Sequence, residues 1–254
     1  MNHPTTTVPS RRTAFSLIEL IVAIAIVLVL STLAFTGYRA LVESANEAKS
    51  ANNLRQLGSA VDLYLREHNH RYFPYREWDP DGGFRYWFGT DPGLGTGAEG
   101  DREILAERGP LHPYINSVGS IDRCPGFNWD HPSYKPKWRD VGFGYGYNRL
   151  LGGKISHRLK RPADTIVFGT CAQVNTFQEP ASPTNPMFEE FYYFDQSTAS
   201  AHFRFGRGER ALFLFADGHV DALPPAEGTL DGRLPEARIG RIAPVGSLEH
   251  LWYP

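Results

Sequence analysis

Only two cysteines, Cys124 and Cys171, occur in 254 residues, which excludes a disulfide-dense scaffold. If the segment carrying them is exported, one bridge between them is allowed. Two buried free thiols are the alternative, and sequence separation does not choose. There is no surplus of basic charge: Lys plus Arg is 26 against 28 for Asp plus Glu, and beyond residue 68 the balance is 20 to 23. That removes the clustered basic face needed for nucleic acid. No P-loop and no HExxH occurs. Ser197 or Ser200 with His202 and Asp217 lacks the G-x-S-x-G elbow of a hydrolase, and a Cys–His nucleophilic pair has no better support. The chain is therefore expected not to be an enzyme, and no cofactor is expected. Proline, with 19 copies overall, is missing between Phe15 and Phe73, so nothing there breaks a helix.

The strongest signal is N-terminal. Residues 1–14 are polar and end in Arg11-Arg12-Thr13-Ala14. From Phe15 to Phe35 the chain reads FSLIELIVAIAIVLVLSTLAF, long enough to span a bilayer as a helix of about 20 residues. Positive charge before it favours a cytoplasmic N-terminus, with the remainder outside. A secretory signal would have a shorter apolar region and a small-residue site after it, whereas Ala14 precedes the run. A plain signal-anchor is permitted by composition.

Glu19 separates these readings. A carboxylate in a membrane costs about 2.5–3.5 kcal/mol at the helix centre and less near an end, and no basic side chain shares its stretch. Cleavage between Ala14 and Phe15 would create a cation, the new α-amino group, four residues away. That amine pairs with its own Glu19 or with a neighbour's, and the second arrangement sets the axial register of an assembly. A Glu tolerated near the interface is the alternative.

Beyond Phe35 apolar residues recur at Tyr38, Leu41, Ala45, Ala48, Ala51, Leu54, Leu57, Val61 and Tyr64, one face of a continuing helix. Gly37 and Gly58 are weak points worth about 1 kcal/mol each. This gives four segments: a leader 1–14, a membrane or filament-core half-helix 15–36, an amphipathic half-helix 37–68 and a head 69–254. In the head, Trp78–Gly83 and Gly93–Gly97 read as turns and a long loop. A short helix is expected within Glu103–Tyr114, around the run Arg102–Arg108, a Gly-aromatic strand or turn at Gly142–Asn148, a strand at Thr165–Thr170, an exposed loop at Glu179–Pro186, and a hairpin through Asp217-Gly218 in ALFLFADGHVDAL. One long helix followed by short strands implies α+β, a small antiparallel sheet with extended loops laid on the helix.

The stretch Ala14-Phe15-Ser16-Leu17-Ile18-Glu19-Leu20 resembles the cleavage and methylation motif of type IV pilins and type II secretion pseudopilins. Ala14 stands where that family usually has Gly. The resemblance implies a pilin-like fold and a prepilin peptidase that cuts before Phe15 and methylates its amine. It implies Glu19 as the residue directing assembly, and an inner-membrane protein whose head is periplasmic. Its partners would be that peptidase, other pilin or pseudopilin subunits, an inner-membrane assembly platform and membrane lipid before assembly. Cys124-Pro125, Tyr145–Asn148 and Phe215–Val220 also resemble a pseudopilin-like group of planctomycetes and verrucomicrobia, named for a His followed nine residues later by Asp-Gly. Here His202 stands further back and Arg207 occupies the strict position.

Three candidate sites remain. Asp217, His219 and Asp221 share a strand face and with His202 would make a metal site, against a plain turn with solvent-facing neighbours. Asp79, Asp81 and Gly82 open like a calcium loop without its later ligands. The aromatics Tyr72, Phe73, Tyr75, Trp78, Phe84, Tyr86, Trp87 and Phe88 would make a carbohydrate or partner surface if exposed, and core if buried. The expected function is thus a structural subunit of a pseudopilus or pilus-like fibre, with an anchored periplasmic binding protein as the alternative.

Overall fold

A computed structural model of the chain describes residues 16–98, 100–118, 121, 123–139, 141–194, 197–244 and 247. The chain divides into two compact units, Met1–Ser44 and Ala45–Pro254. Helix α1, Leu17–Glu67, runs through 51 residues. It stops where Asn69 and His70 turn left-handed, with φ of 53° and 57°. His70 N then donates to the Leu65 carbonyl at 2.7 Å, satisfying an end group that the helix itself cannot.

Among the described residues the head carries twelve short strands. β1 (Arg76–Trp78), β2 (Phe84–Tyr86) and β3 (Gly89–Asp91) form an antiparallel meander. Next come α2 (His112–Val118), β4 (Tyr145–Asn148), β5 (Ile166–Thr170), β6 (Ala172–Asn175), β7 (Met187–Glu190) and β8 (Tyr193–Phe194). The last four are β9 (Ala201–His202), β10 (Ala211–Phe215), β11 (Val220–Leu223) and β12 (Ile239–Gly240). The central sheet has the order β11-β10-β5-β4-β8, antiparallel except for β4 with β8. Two-stranded pairs β6-β7 and β12-β9 flank it. The fold is therefore α+β, an apolar N-terminal helix followed by a β-rich head with small antiparallel sheets.

Strand β10, ALFLF, is buried at every position, because the central sheet is covered on both faces. Leu212 and Leu214 join Leu54, Leu57, Val61 and Leu65 of α1 in one cluster. Ala211, Phe213 and Phe215 join Phe191, Phe194 and Phe203 in another. Each fully buried Leu or Phe contributes about 1.5–3 kcal/mol. Elements approach the central sheet closely at Gly58 of α1 and Gly169 of β5. A Cβ on Gly58 would sit 3.1 Å from Leu214 Cδ1, and one on Gly169 would overlap the Phe213 ring. Gly58, a helix weak point by propensity, is thus a packing residue. Gly169→Ala should destabilise the head by about 1–3 kcal/mol through overpacking, read as a lower denaturation midpoint of the full chain.

Two expectations are corrected. Within residues 45–67 the buried positions are Ser50, Asn53, Leu54, Leu57, Ala60, Val61 and Leu65, while Ala45 and Ala48 are exposed. Two polar residues lie inside because the sheet offers them partners: Ser50 Oγ lies 3.1 Å from Tyr145 Oη and 3.3 Å from Cys124 Sγ, and Asn53 also bonds Tyr145. The helix expected around Arg102–Arg108 is a single 3₁₀ turn, Ala106–Arg108. Upstream of it, Leu105 and Thr90 exchange backbone hydrogen bonds at 2.9 and 3.0 Å, so the sheet has claimed the groups a helix would need.

Candidate functional site

At the start of α1 a local pair of bonds fixes Glu19. Ser16 N donates to Glu19 Oε2 at 2.9 Å, and Ile18 N donates to Ser16 Oγ at 3.3 Å. This is a capping box, in which Ser and Glu three residues apart satisfy orphan donors of the first turn. The Ser-x-x-Glu spelling at 16–19 was the available signal for it. From Leu17 to Phe35 the helix is about 28 Å long at 1.5 Å per residue, close to a hydrocarbon core of about 30 Å. Its large apolar side chains are all exposed within their unit, Leu17 by 75% and Leu33 by 65%. Thr32 Oγ1 reaches the Leu28 and Val29 carbonyls at 3.1 and 2.8 Å, which keeps it satisfied in an apolar medium. Glu19 is the one charged residue between Phe15 and Tyr38. Ala14 and Phe15, the two residues of the expected cut, lie outside the described residues.

In the head the candidate sites come apart. Cys124 and Cys171 are free and buried, so the bridge left open by the sequence is not formed. They lie on opposite faces of β4: Tyr145 faces Ser50 and Cys124, whereas a Cβ on Gly146 would meet Cys171 Sγ at 2.7 Å. Burial pushes the Cys171 thiol up to about 12, leaving it protonated and unreactive. The metal site is not assembled. His219 Nδ1 pairs with Asp217 Oδ1 at 2.6 Å and its ring stacks on Phe215 at 4.3 Å. His202 instead packs among Phe127 and Phe188. There burial, then the Arg204 charge, holds it well below the usual imidazole range despite a bond to the Ala237 backbone. Among the described residues no three His, Cys, Asp or Glu gather.

The calcium-like opening is also spent. Asp79 accepts Asp81 N at 3.0 Å and the Thr90 hydroxyl, closing the β1–β2 turn. Of the eight clustered aromatics five are buried and Tyr75 and Phe84 half-buried, leaving Trp78 exposed by 60%. Of the two readings the sequence left open, most of these rings therefore take the buried one and pack in the core. Gly95, Gly97 and Gly100 have dinucleotide-loop spacing, but the chain beyond them bridges from Arg102 to Trp138 instead of opening a helix, the context that motif requires.

One cluster escaped the sequence altogether. Glu189, fully buried, receives Lys135 Nζ at 2.9 Å, Lys137 Nζ, Gln173 Nε2, and Asn175 Nδ2 at 3.0 Å. Burial alone would raise its carboxyl, but Lys137, then Lys135 and Gln173, hold it at about 2. Its neighbour Glu190 accepts Lys137 N at 2.9 Å and Tyr134 Oη at 2.8 Å, with no ammonium paired to it among the described residues, and burial pushes it up to about 7. Lys-Pro-Lys and Glu-Glu are ordinary surface spellings, and no local pattern marks them as interior.

A family model described as the prokaryotic N-terminal methylation motif matches residues 9–35. No curated protein and no solved structure matches the chain. The matched motif supports a type IV pilin-like or pseudopilin precursor in general, the kind of chain a prepilin peptidase processes, and with the single apolar helix it fits a membrane-anchored protein.

Proposed function

We propose that the chain is a structural, non-enzymatic subunit of a type II secretion pseudopilus or a type IV pilus-like fibre. A prepilin peptidase of the inner membrane cuts between Ala14 and Phe15 and methylates the new amine. The segment 15–36 holds the subunit in lipid with its head in the periplasm. An assembly platform then lifts it into a fibre whose core is built from these helices. The observation that carries the reading is the match over 9–35 to a helix whose apolar stretch holds one carboxylate, Glu19, in its first turn. An unpaired buried carboxylate is costly, and the Phe15 amine is the cation that processing creates beside it.

Intact mass and N-terminal sequencing of the chain purified from native membranes test this. The expected product starts at Phe15 and carries one methyl group. Fibres built from chains that still begin at Met1 would overturn it.

A further inference from the structure

Between the β6–β7 hairpin and the segment 228–241 lies an open cleft of about 470 Å³, within the range of small-ligand sites. At its rim stands Phe177, exposed by 72%. It is held firmly: Asn175 Oδ1 accepts Phe177 N at 3.0 Å and Gln178 N at 3.1 Å. Asn175 is itself fully buried and bonded to Glu189 at 3.0 Å. An apolar ring is thus presented to solvent by a turn anchored in the core ion cluster.

The cleft also carries an unbalanced charge. Asp231 is taken on both oxygens by Arg233, at 2.9 and 2.6 Å. Arg241, the second guanidinium, donates Nη2 to Ser197 O at 2.8 Å and makes no close ion pair among the described residues, its charge acting on Asp231 only from a distance. Two cations face one anion, leaving a half-enclosed positive charge that an anionic ligand group would neutralise. Gln173 adds an amide edge to the same wall, its Nε2 given to Glu189. The neighbouring β6 backbone is already engaged: Ala172 N bonds Ser200 O at 3.0 Å, and Arg233 Nη2 reaches Val174 O at 3.4 Å. An extended peptide would find little of that strand edge to pair with.

The geometry points to an anionic saccharide as the ligand of this cleft, its C–H face on Phe177, a hydroxyl on the Gln173 amide oxygen, and its acid group on Arg241. Rigid aromatic area beside a few placed polar groups is what such a ring recognises, and a carboxylate or sulfate ester supplies the same charge. The inference is independent of assembly, since it concerns the head alone.

Calorimetric titration of the full chain in detergent with trigalacturonate, its methyl ester, a sulfated trisaccharide and an acidic tetrapeptide tests it. Trigalacturonate or the sulfated sugar should bind at least about tenfold more tightly than the neutral ester, a difference of about 1.4 kcal/mol. Phe177→Ala, at an exposed position, should weaken binding about tenfold without moving the melting temperature. Arg241→Gln should bring acid and ester to the same affinity. Equal binding of acid and ester by the native chain, no binding of either acidic sugar, indifference to Phe177→Ala, or preference for the peptide would each overturn the assignment.

Discussion

Glu19→Ala should leave the chain in the membrane and remove it from fibres. Insertion needs only the apolar run, which the substitution makes more apolar. Assembly in the proposed scheme buries the Phe15 amine against Glu19. Breaking one side of a buried ion pair costs about 3–5 kcal/mol, and each 1.4 kcal/mol is tenfold in affinity, so subunit association should fall by about two to four orders of magnitude. The capping box at Ser16 and Glu19 offers a competing role, which Glu19→Gln separates. Gln serves a capping box as well as Glu but brings no charge. Sedimentation of sheared fibres against retained membranes should place both variants in the membrane fraction. Fibres of normal yield from Glu19→Gln would show that the carboxylate acts by capping and not by charge.

The second large effect lies in the head. Glu189→Ala should destabilise it by about 3–5 kcal/mol, because the buried Lys137 ammonium would lose the anion it binds. The two adjacent glutamates should also shape stability against pH in opposite directions. Glu189 is depressed from 4.5 to about 2, so its contribution is full above pH 4.5 and is lost as pH falls toward 2. Glu190 is raised from 4.5 to about 7, so the folded state holds a proton that the unfolded chain releases. Stability then declines as pH rises from 4.5 to 7 and is flat above. At 1.36 kcal/mol per unit the second limb amounts to up to about 3 kcal/mol. Denaturant unfolding should therefore show Glu190→Gln more stable than the native chain at pH 8 and equal to it at pH 4. Equal curves at both pH values would refute the assigned ionisation.

Legibility followed locality. Helix α1 could be read because an apolar run and the lack of proline act over neighbouring residues, and the β10–β11 hairpin because Asp217-Gly218 sits between two β-compatible runs. The strand at Thr165–Thr170 was legible from its apolar, β-branched spelling. Ser50 and Asn53 were not, since their partners Tyr145 and Cys124 lie more than seventy residues away. The aromatics of 72–88 leave core and recognition surface both open in the sequence, because composition does not say which side a ring faces. His202 was grouped with Asp217 on sequence spacing, but β12 pairs with its strand and draws it elsewhere. The motif matched over 9–35 is readable from Ala14 to Glu19, whereas the Glu189 cluster depends on β6 and β7 meeting the Lys135–Lys137 loop.

The inward side chains of α1 from Ser50 to Leu65 have a consequence for where this molecule can be divided. The texture of the sequence shifts at Asn69, and a reader would place a domain border there. Yet Leu54, Leu57, Val61 and Leu65 are floorboards of the head. A cut at Asn69 would lift them out and leave the underside of the sheet bare to water. The natural seam is upstream, near Ser44, so the compositional shift marks where the chain surfaces and not where one body ends.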